Sequence, residues 1–381
     1  MSQAYTPGLK VTERTLLRRR RSLPIKGRVL VQMGDRVAAR DIIAQTDLPG
    51  PIVPVNVANL LSIPPREVAA AMQVAVGSRV SAGQVIARSK GLFGWFQKEC
   101  RAPVDGTVET VSAVTGQVML RGAPLPVQLP AFLAGQVVQI VPEEGATIEA
   151  ECSFIQGIFG IGSEAFGPIH LAGTRADQTV TEEFVTSAHR GAVLVGGGRV
   201  TAGALARAVS VGVSAVVTGG IDDQDLRDFL GYDLGVATTG AETAGLTLII
   251  TEGFGDIAMA SRTFDLLASR ENCDAAVNGA TQIRAGVLRP EVIIPWPVGV
   301  AGGHAAAPRV AVESPAAHVL RAGIPVRIIR DPYFGMIGTV VSLPPEPRIL
   351  GSGSKARVLE VRLPQGEQVL LPRANVELIE E

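Results

Sequence analysis

Apolar positions near the N-terminus recur in a fixed rhythm. Residues 31–44 read VQMGDRVAARDIIA and residues 74–87 read VAVGSRVSAGQVIA, an offset of 43. Val31 and Val74, Gly34 and Gly77, Arg36 and Arg79, Val37 and Val80, Ala39 and Ala82, Ile43 and Ile86, and Ala44 and Ala87 coincide. Each copy sets β-branched residues on both sides of a Gly-Asp or Gly-Ser turn, the pattern of a strand–turn–strand unit. Between the copies Pro65 opens a short Ala-rich helix running to Gln73. Residues 100–120 alternate again around turns at Asp105-Gly106 and Gly116, and residues 135–160 around turns at Glu144-Gly145 and Gly157. These segments predict a β-rich unit over residues 23–170.

From residue 171 to 323 the period changes. Ala192–Val195, VSAVVTGG (213–220), LTLIIT (246–251) and EVII (291–294) are continuous apolar runs. Amphipathic stretches alternate with them: one capped by Thr201 with Leu205, Ala208 and Val209 on its apolar face, and one capped by Asp222 or Asp223 and closed by Gly231. A third carries Ile257, Ala260, Phe264 and Leu267, and a fourth is opened by Ser314-Pro315 and ended by Gly323. Buried strands alternating with such helices predict a mostly parallel sheet covered on both faces, an α/β sandwich.

Such sheets bind ligands beyond the carboxyl ends of their strands. Three glycine-bearing loops fall there, Gly196-Gly197-Gly198, Thr218-Gly219-Gly220 and Glu252-Gly253-Phe254-Gly255, and each precedes a helix whose free N–H groups could hold a small anion or nucleotide. Neither a Walker loop nor a G-x-G-x-x-G fingerprint is present. Glu252 and Asp256 are an acid–base pair only if they converge; otherwise Asp256 caps the next helix and Glu252 is solvated. No G-x-S-x-G elbow occurs, and His189, His304 and His318 have no evident nucleophile beside them.

The last segment, 324–381, holds strands at 326–329, 337–343, 356–363 and 367–371 joined by Gly/Pro turns, and predicts a small β-barrel. The expected fold is therefore multidomain α and β.

Charge alters this picture at one end. The 381 residues sum to −1, yet residues 1–28 carry eight basic side chains against Glu13, a net +7, so the rest of the chain holds −8. Residues 1–22 read as a basic flexible tail whose Arg18, Arg19, Arg20 and Arg21 are free to touch nucleic acid, anionic lipid or an acidic protein. No apolar stretch follows the arginines as a secretory signal requires. Three scattered cysteines fit a reducing, cytoplasmic setting rather than a disulfide framework. No Cys-x-x-Cys or His pair has metal-ligand spacing, so no metal or other cofactor is expected, and no apolar run is long enough to span a membrane.

Two resemblances follow from these residues. GSRVSAGQVIA followed by APVDGTV resembles the halves of a biotinyl/lipoyl-type domain, a barrel-sandwich hybrid. That module also serves without a prosthetic group in large bacterial machines. The carrier forms place their lysine in a Met-Lys-type hairpin. Here RSKGLFGWFQKEC stands in its place, with Lys90 and Lys98 outside any such turn. VRIIRDPYFGMIGTVV with LPRANVELIE resembles a KOW module, an SH3-like barrel of transcription and ribosomal proteins. The resemblance implies contact with RNA or protein through barrel loops, here around Tyr333, Phe334, Arg348, Lys355 and Arg357. Residues 324–358 carry +3 and 359–381 carry −3, a polarised surface without the basic excess that phosphate binding demands. The expected function is that of a non-enzymatic bacterial adaptor or scaffold with protein partners. Ligand sensing or catalysis at the glycine loops and RNA association through the KOW-like segment are the alternatives. Oligomeric state is not legible.

Overall fold

The computed structural model describes residues 9–90, 97–232, 245–281, 288–297, 320–330, 332–333, 336–349 and 355–378. Outside them lie the tip of the RSKGLFGWFQKEC hairpin, His304, His318, the helix expected after Ser314-Pro315, and Phe334. The chain is a mostly-β, multidomain fold built around one large mixed sheet of twelve strands.

Four neighbouring strands of that sheet run parallel: Glu164–Leu171, Val193–Val195, Ala215–Ile221 and Thr247–Phe254. The last three are buried on both sides because both sides are covered. Leu194, Val216 and Leu248 face a core with Leu205 and Leu226, from helices Ala202–Val211 and Asp223–Leu230. Val193, Val217 and Ile249 face a second core with Phe264 and Leu267, from helix Ser261–Ala268. The Thr201 hydroxyl caps the first helix by accepting from the Ala204 N–H, and Asp222 caps the second. Gly212 and Gly231 end them at φ +85° and +78°. Val209, expected on the apolar face, is exposed; the buried positions Ala204, Leu205, Ala208 and Val211 define a stripe that leaves it outside.

A mostly parallel sheet was expected, and the sheet is mixed. Beyond Glu164–Leu171 the neighbours Asp274–Asn278, Glu291–Pro295, Gly145–Gln156, Gly135–Val141 and Arg36–Val37 are all antiparallel. The sheet thus runs without a break across residue 170, because the long strand Gly145–Gln156 belongs to both halves.

The flexible tail is the larger correction. Residues Val11–Ser22 form a twelve-residue strand that pairs antiparallel with Gly145–Gln156, from Val11 opposite Ile155 to Ser22 opposite Gly145. A strand has two edges. Val11–Ser22 fills one along its whole length, so Gly135–Val141 (opposite 145–149) and Glu291–Pro295 (opposite 152–156) share the other, end to end.

The two N-terminal copies fold alike. Gly34 and Gly77 take φ +93° and +88°, a region that a Cβ disfavours, which accounts for glycine at the turn. Arg36–Val37 pairs with Gln136 and Gly135, and Arg79–Val80 pairs with Thr107 and Gly106. The hairpin Val85–Arg88 with Glu99–Arg101 in the second copy corresponds to Ile42–Leu48 with Leu125–Pro130 in the first. The whole second unit is therefore inserted into the hairpin of the first. Each copy has its own core: Val80, Ile86, Val108 and Leu120 in one, Val37, Ile43, Phe132 and Ile148 in the other. The helix expected from Pro65 to Gln73 is a 3₁₀ turn, Pro65–Glu67, followed by one α-turn, Val68–Ala71.

At the C-terminus Gln368–Pro372, Val358–Arg362, Ile337–Ser342, Pro325–Ile328 and Val376–Leu378 form a five-stranded antiparallel sheet in that order. Val326, Val340, Val361 and Leu371 are at its core.

Candidate functional site

The ends of the parallel strands come first. Gly196, Gly197, Gly198, Thr218, Gly219 and Gly220 do gather there, packed against each other. A Cβ on Gly197 would stand 1.9 Å from the Arg175 carbonyl oxygen, and one on Gly219 would stand 2.5 Å from the Met259 nitrogen. Glycine is required because backbones touch. Five of the loop glycines donate their N–H groups to the chain's own carbonyls: Gly196 to Val217, Gly198 to Gln178, Gly219 to Gly197, Gly220 to Gly198, and Gly255 to Ile221. The buried Thr218 hydroxyl donates to the Gly198 carbonyl, and Thr251 donates to that of Thr218. Gly253 lies inside the strand Thr247–Phe254, opposite Gly220.

Glu252 and Asp256 do not converge. Glu252, expected in solvent, is 7% exposed, whereas Asp256, expected to cap the following helix, is exposed. The helix also starts later than expected, at Ser261, and it is Glu252 Oε1 that accepts from the Ala260 N–H at 3.1 Å. Its other oxygen accepts from Arg327 Nη2 at 2.7 Å, and Arg327 Nε donates to the Glu252 carbonyl. Arg327 stands opposite Glu377 in the C-terminal sheet, and its Nη1 donates to Glu377 Oε1 at 2.8 Å. Arg289 binds the second Glu377 oxygen. Two carboxylates and two guanidiniums thus form a neutral chain, which is how charges tolerate such burial. They fasten the C-terminal sheet to the end of Thr247–Phe254.

The arginines at 18–21 are also paired. Strand periodicity splits the run onto two faces. Arg18 and Arg20 point outward to Glu149 and Glu144. Arg19 and Arg21 point inward, Arg19 to Glu291 and Arg21 in a two-pronged pair with Glu164 at 2.6 and 2.8 Å. Burial holds the Glu291 carboxyl above its usual range although Arg19 opposes the shift, and it pushes the neighbouring Cys152 thiol up to about 12, an inert sulfur. The −8 of the chain body is in part the counter-charge of this strand.

Of the remaining candidates, Tyr333 is half-buried against the C-terminal core, while Arg348 and Arg357 are exposed. Lys355 lies in a two-residue strand paired with Arg348–Ile349; its side chain, like Phe334, is outside the described residues. Lys90 is exposed, and Lys98 Nζ donates to the Ser62 hydroxyl at 2.8 Å.

One feature was missed from sequence. A cleft of about 830 Å³ opens where the two end-to-end strands leave a gap, lined among others by Leu16, Arg36, Val37, Asp274, Pro295 and Trp296. No local pattern marks it, since it lies where two strands end beside a third. No helix among the described residues is long and apolar enough to cross a membrane, and no group of His, Cys, Asp and Glu among them could hold a metal ion. No protein-family model and no curated protein matches the chain.

Proposed function

We propose that the chain is an adaptor: a stiff central sheet that carries β modules outward to meet protein partners. The observation behind this reading is the fate of Glu252. At the strand ends, where an α/β sheet would bind a ligand, the buried carboxylate of Glu252 is spent on Arg327 and so on seating the C-terminal module. Binding chemistry there would need donors and acceptors left over, and the N–H groups of Gly196, Gly198, Gly219, Gly220 and Gly255 are already bonded.

On this reading the N-terminal units are barrel-sandwich-hybrid-like and the C-terminal one KOW- or SH3-like, and their loops do the docking. The exposed Arg348 and Arg357 form the edge that a partner with acidic side chains would meet. The test is affinity capture with the full chain and with R348E/R357E, followed by identification of the bound proteins. The expected result is a defined set of partners that the double variant loses. An identical set from both proteins removes the docking role of this edge. Partners that single-stranded RNA displaces at low salt, and that are absent after nuclease treatment, transfer the role to RNA.

A further inference from the structure

We infer that the cleft between the two half-sheets binds a small carboxylic acid with an apolar body, its carboxylate on Arg36 and its body against Leu16 and Trp296. Neither the glycine loops nor Arg348 and Arg357 line this cleft, so the site stands or falls independently of the docking reading.

Register and pleat place the groups. Along Gly145–Gln156, Glu149 and Glu151 project from the same outward face, about 7 Å apart at the usual rise of a strand. Glu149 lies in a row with Gln136 and Arg36 on one side and Arg18 on the other. Glu151 lies in the adjoining row: Leu16 is opposite it in Val11–Ser22, and on its other side the Trp296 backbone N–H donates to its carbonyl at 2.9 Å. Two contacts set the Trp296 ring on that same face. The Arg14 guanidinium pairs with the Glu151 carboxylate at 2.5 Å and stands 5.1 Å from the centre of the ring. Arg36, Leu16 and Trp296 therefore share one side of the sheet, and all three line the cleft.

Charge selects the ligand's head. Arg14 is answered by Glu151, and Glu149 by Arg18. Arg36 is exposed and makes no ion pair or hydrogen bond among the described residues. Asp274 lines the cleft from the opposite face, since it alternates with Ala276, which pairs through Ile293 with Phe154. The outward side thus holds one uncompensated guanidinium, a group that takes a carboxylate in a two-pronged pair. The two glutamates in the neighbouring positions disfavour a doubly charged head such as phosphate.

The body is selected by apolar surface. Leu16 is 47% exposed on a strand face it shares with Arg14, Arg18 and Arg20, and covering it removes that area from water. Trp296 is fixed beside it, its indole N–H on the Glu13 carbonyl at 3.2 Å and its ring 3.6 Å from the Arg270 guanidinium. The cleft volume of about 830 Å³ is that of a small-molecule site.

The exposure of Arg36 and Leu16 lets both be changed with little effect on the fold, and the melting temperature of each variant verifies this. The probes are hydrocinnamate, its uncharged amide, and propionate, which keeps the charge without the body. Binding is followed by Trp296 fluorescence in a W95F background, where it is the one tryptophan left, and by equilibrium dialysis. Hydrocinnamate is expected to bind, and the amide and propionate each to bind about tenfold or more weakly. R36Q is expected to bind hydrocinnamate and its amide equally, and R36K to restore part of the preference for the acid. L16A is expected to weaken the acid and the amide by the same factor. Absence of hydrocinnamate binding at about 1 mM, equal affinity for acid and amide in the unaltered protein, or a preference for the acid that survives R36Q overturns the assignment.

Discussion

Arg327 and the arginines of Val11–Ser22 meet carboxylates in different surroundings, and the difference decides what each contributes. The side chains of Arg327, Glu252 and Glu377 are 3%, 9% and 0% exposed, so none of the three can turn to water if a partner is lost. The Arg18 and Arg20 side chains are 67% and 61% exposed and exchange protein contacts for hydration freely. Arg21 with Glu164 lies between, at 17% and 24%. The same chemical pair therefore acts as a fastener at one end of the molecule and as a solubilising edge at the other. Arginines on an exposed sheet edge also discourage pairing with a stray strand.

The largest expected effect is at Arg327. R327M leaves Glu252 and Glu377 short of their common cation and should cost about 3–5 kcal/mol, read as a fall in the denaturant midpoint. R327M/E252Q should recover part of that loss, since the charge left without its partner is removed with it. Next comes R21A, which breaks the two-pronged pair with Glu164 and should cost roughly 1.5–3 kcal/mol. R18A and R20A should each cost under about 1 kcal/mol, and that small loss should vanish in molar salt. A cost for R18A equal to that of R327M would dissolve the contrast.

A pH test sits at the small end of the scale. The His189 Nδ1 accepts the Thr186 N–H in a capping box, and its ring lies 5.8 Å from His170. Burial first, then the neighbouring His170, hold the His189 pKa below 6.5. The folded state thus favours the neutral ring. Its contribution is present above the unfolded value near 6.5 and is lost as pH falls through the lower folded value. Protonation also removes the lone pair that accepts from Thr186. Thermal stability should decline from pH 7.5 to 5.5 (roughly one unit either side of an ordinary histidine), and less steeply in H189A. Parallel curves would assign the decline to other groups.

Sequence carried the local decisions and missed the long-range ones. Thr201, Asp222 and Gly231 are helix ends legible in the sequence, because caps act within four residues. The apolar strands at 215–221 and 247–254 were legible for the same reason. The run Arg18–Arg21 looked like a tail because its glutamates lie at 144, 149, 164 and 291, and no local rule connects them. Glu252 looked solvated because Arg327 comes 75 residues later. In both cases the deciding partner was supplied by tertiary pairing. The cleft was hidden for a related reason: it is a gap between strands, and strand ends are set by what packs beyond them.

The insertion of one unit into the hairpin of its twin bears on how the chain is made. Val37 cannot find Gly135 until nearly a hundred further residues have left the ribosome, whereas Val80 meets Gly106 after about a quarter of that length. At ordinary synthesis rates the outer half waits on the order of 5–20 s with its apolar face unpaired. The inner unit can close during that interval, and its closure draws Leu48 and Leu125 together, so it becomes the template on which the outer one is completed.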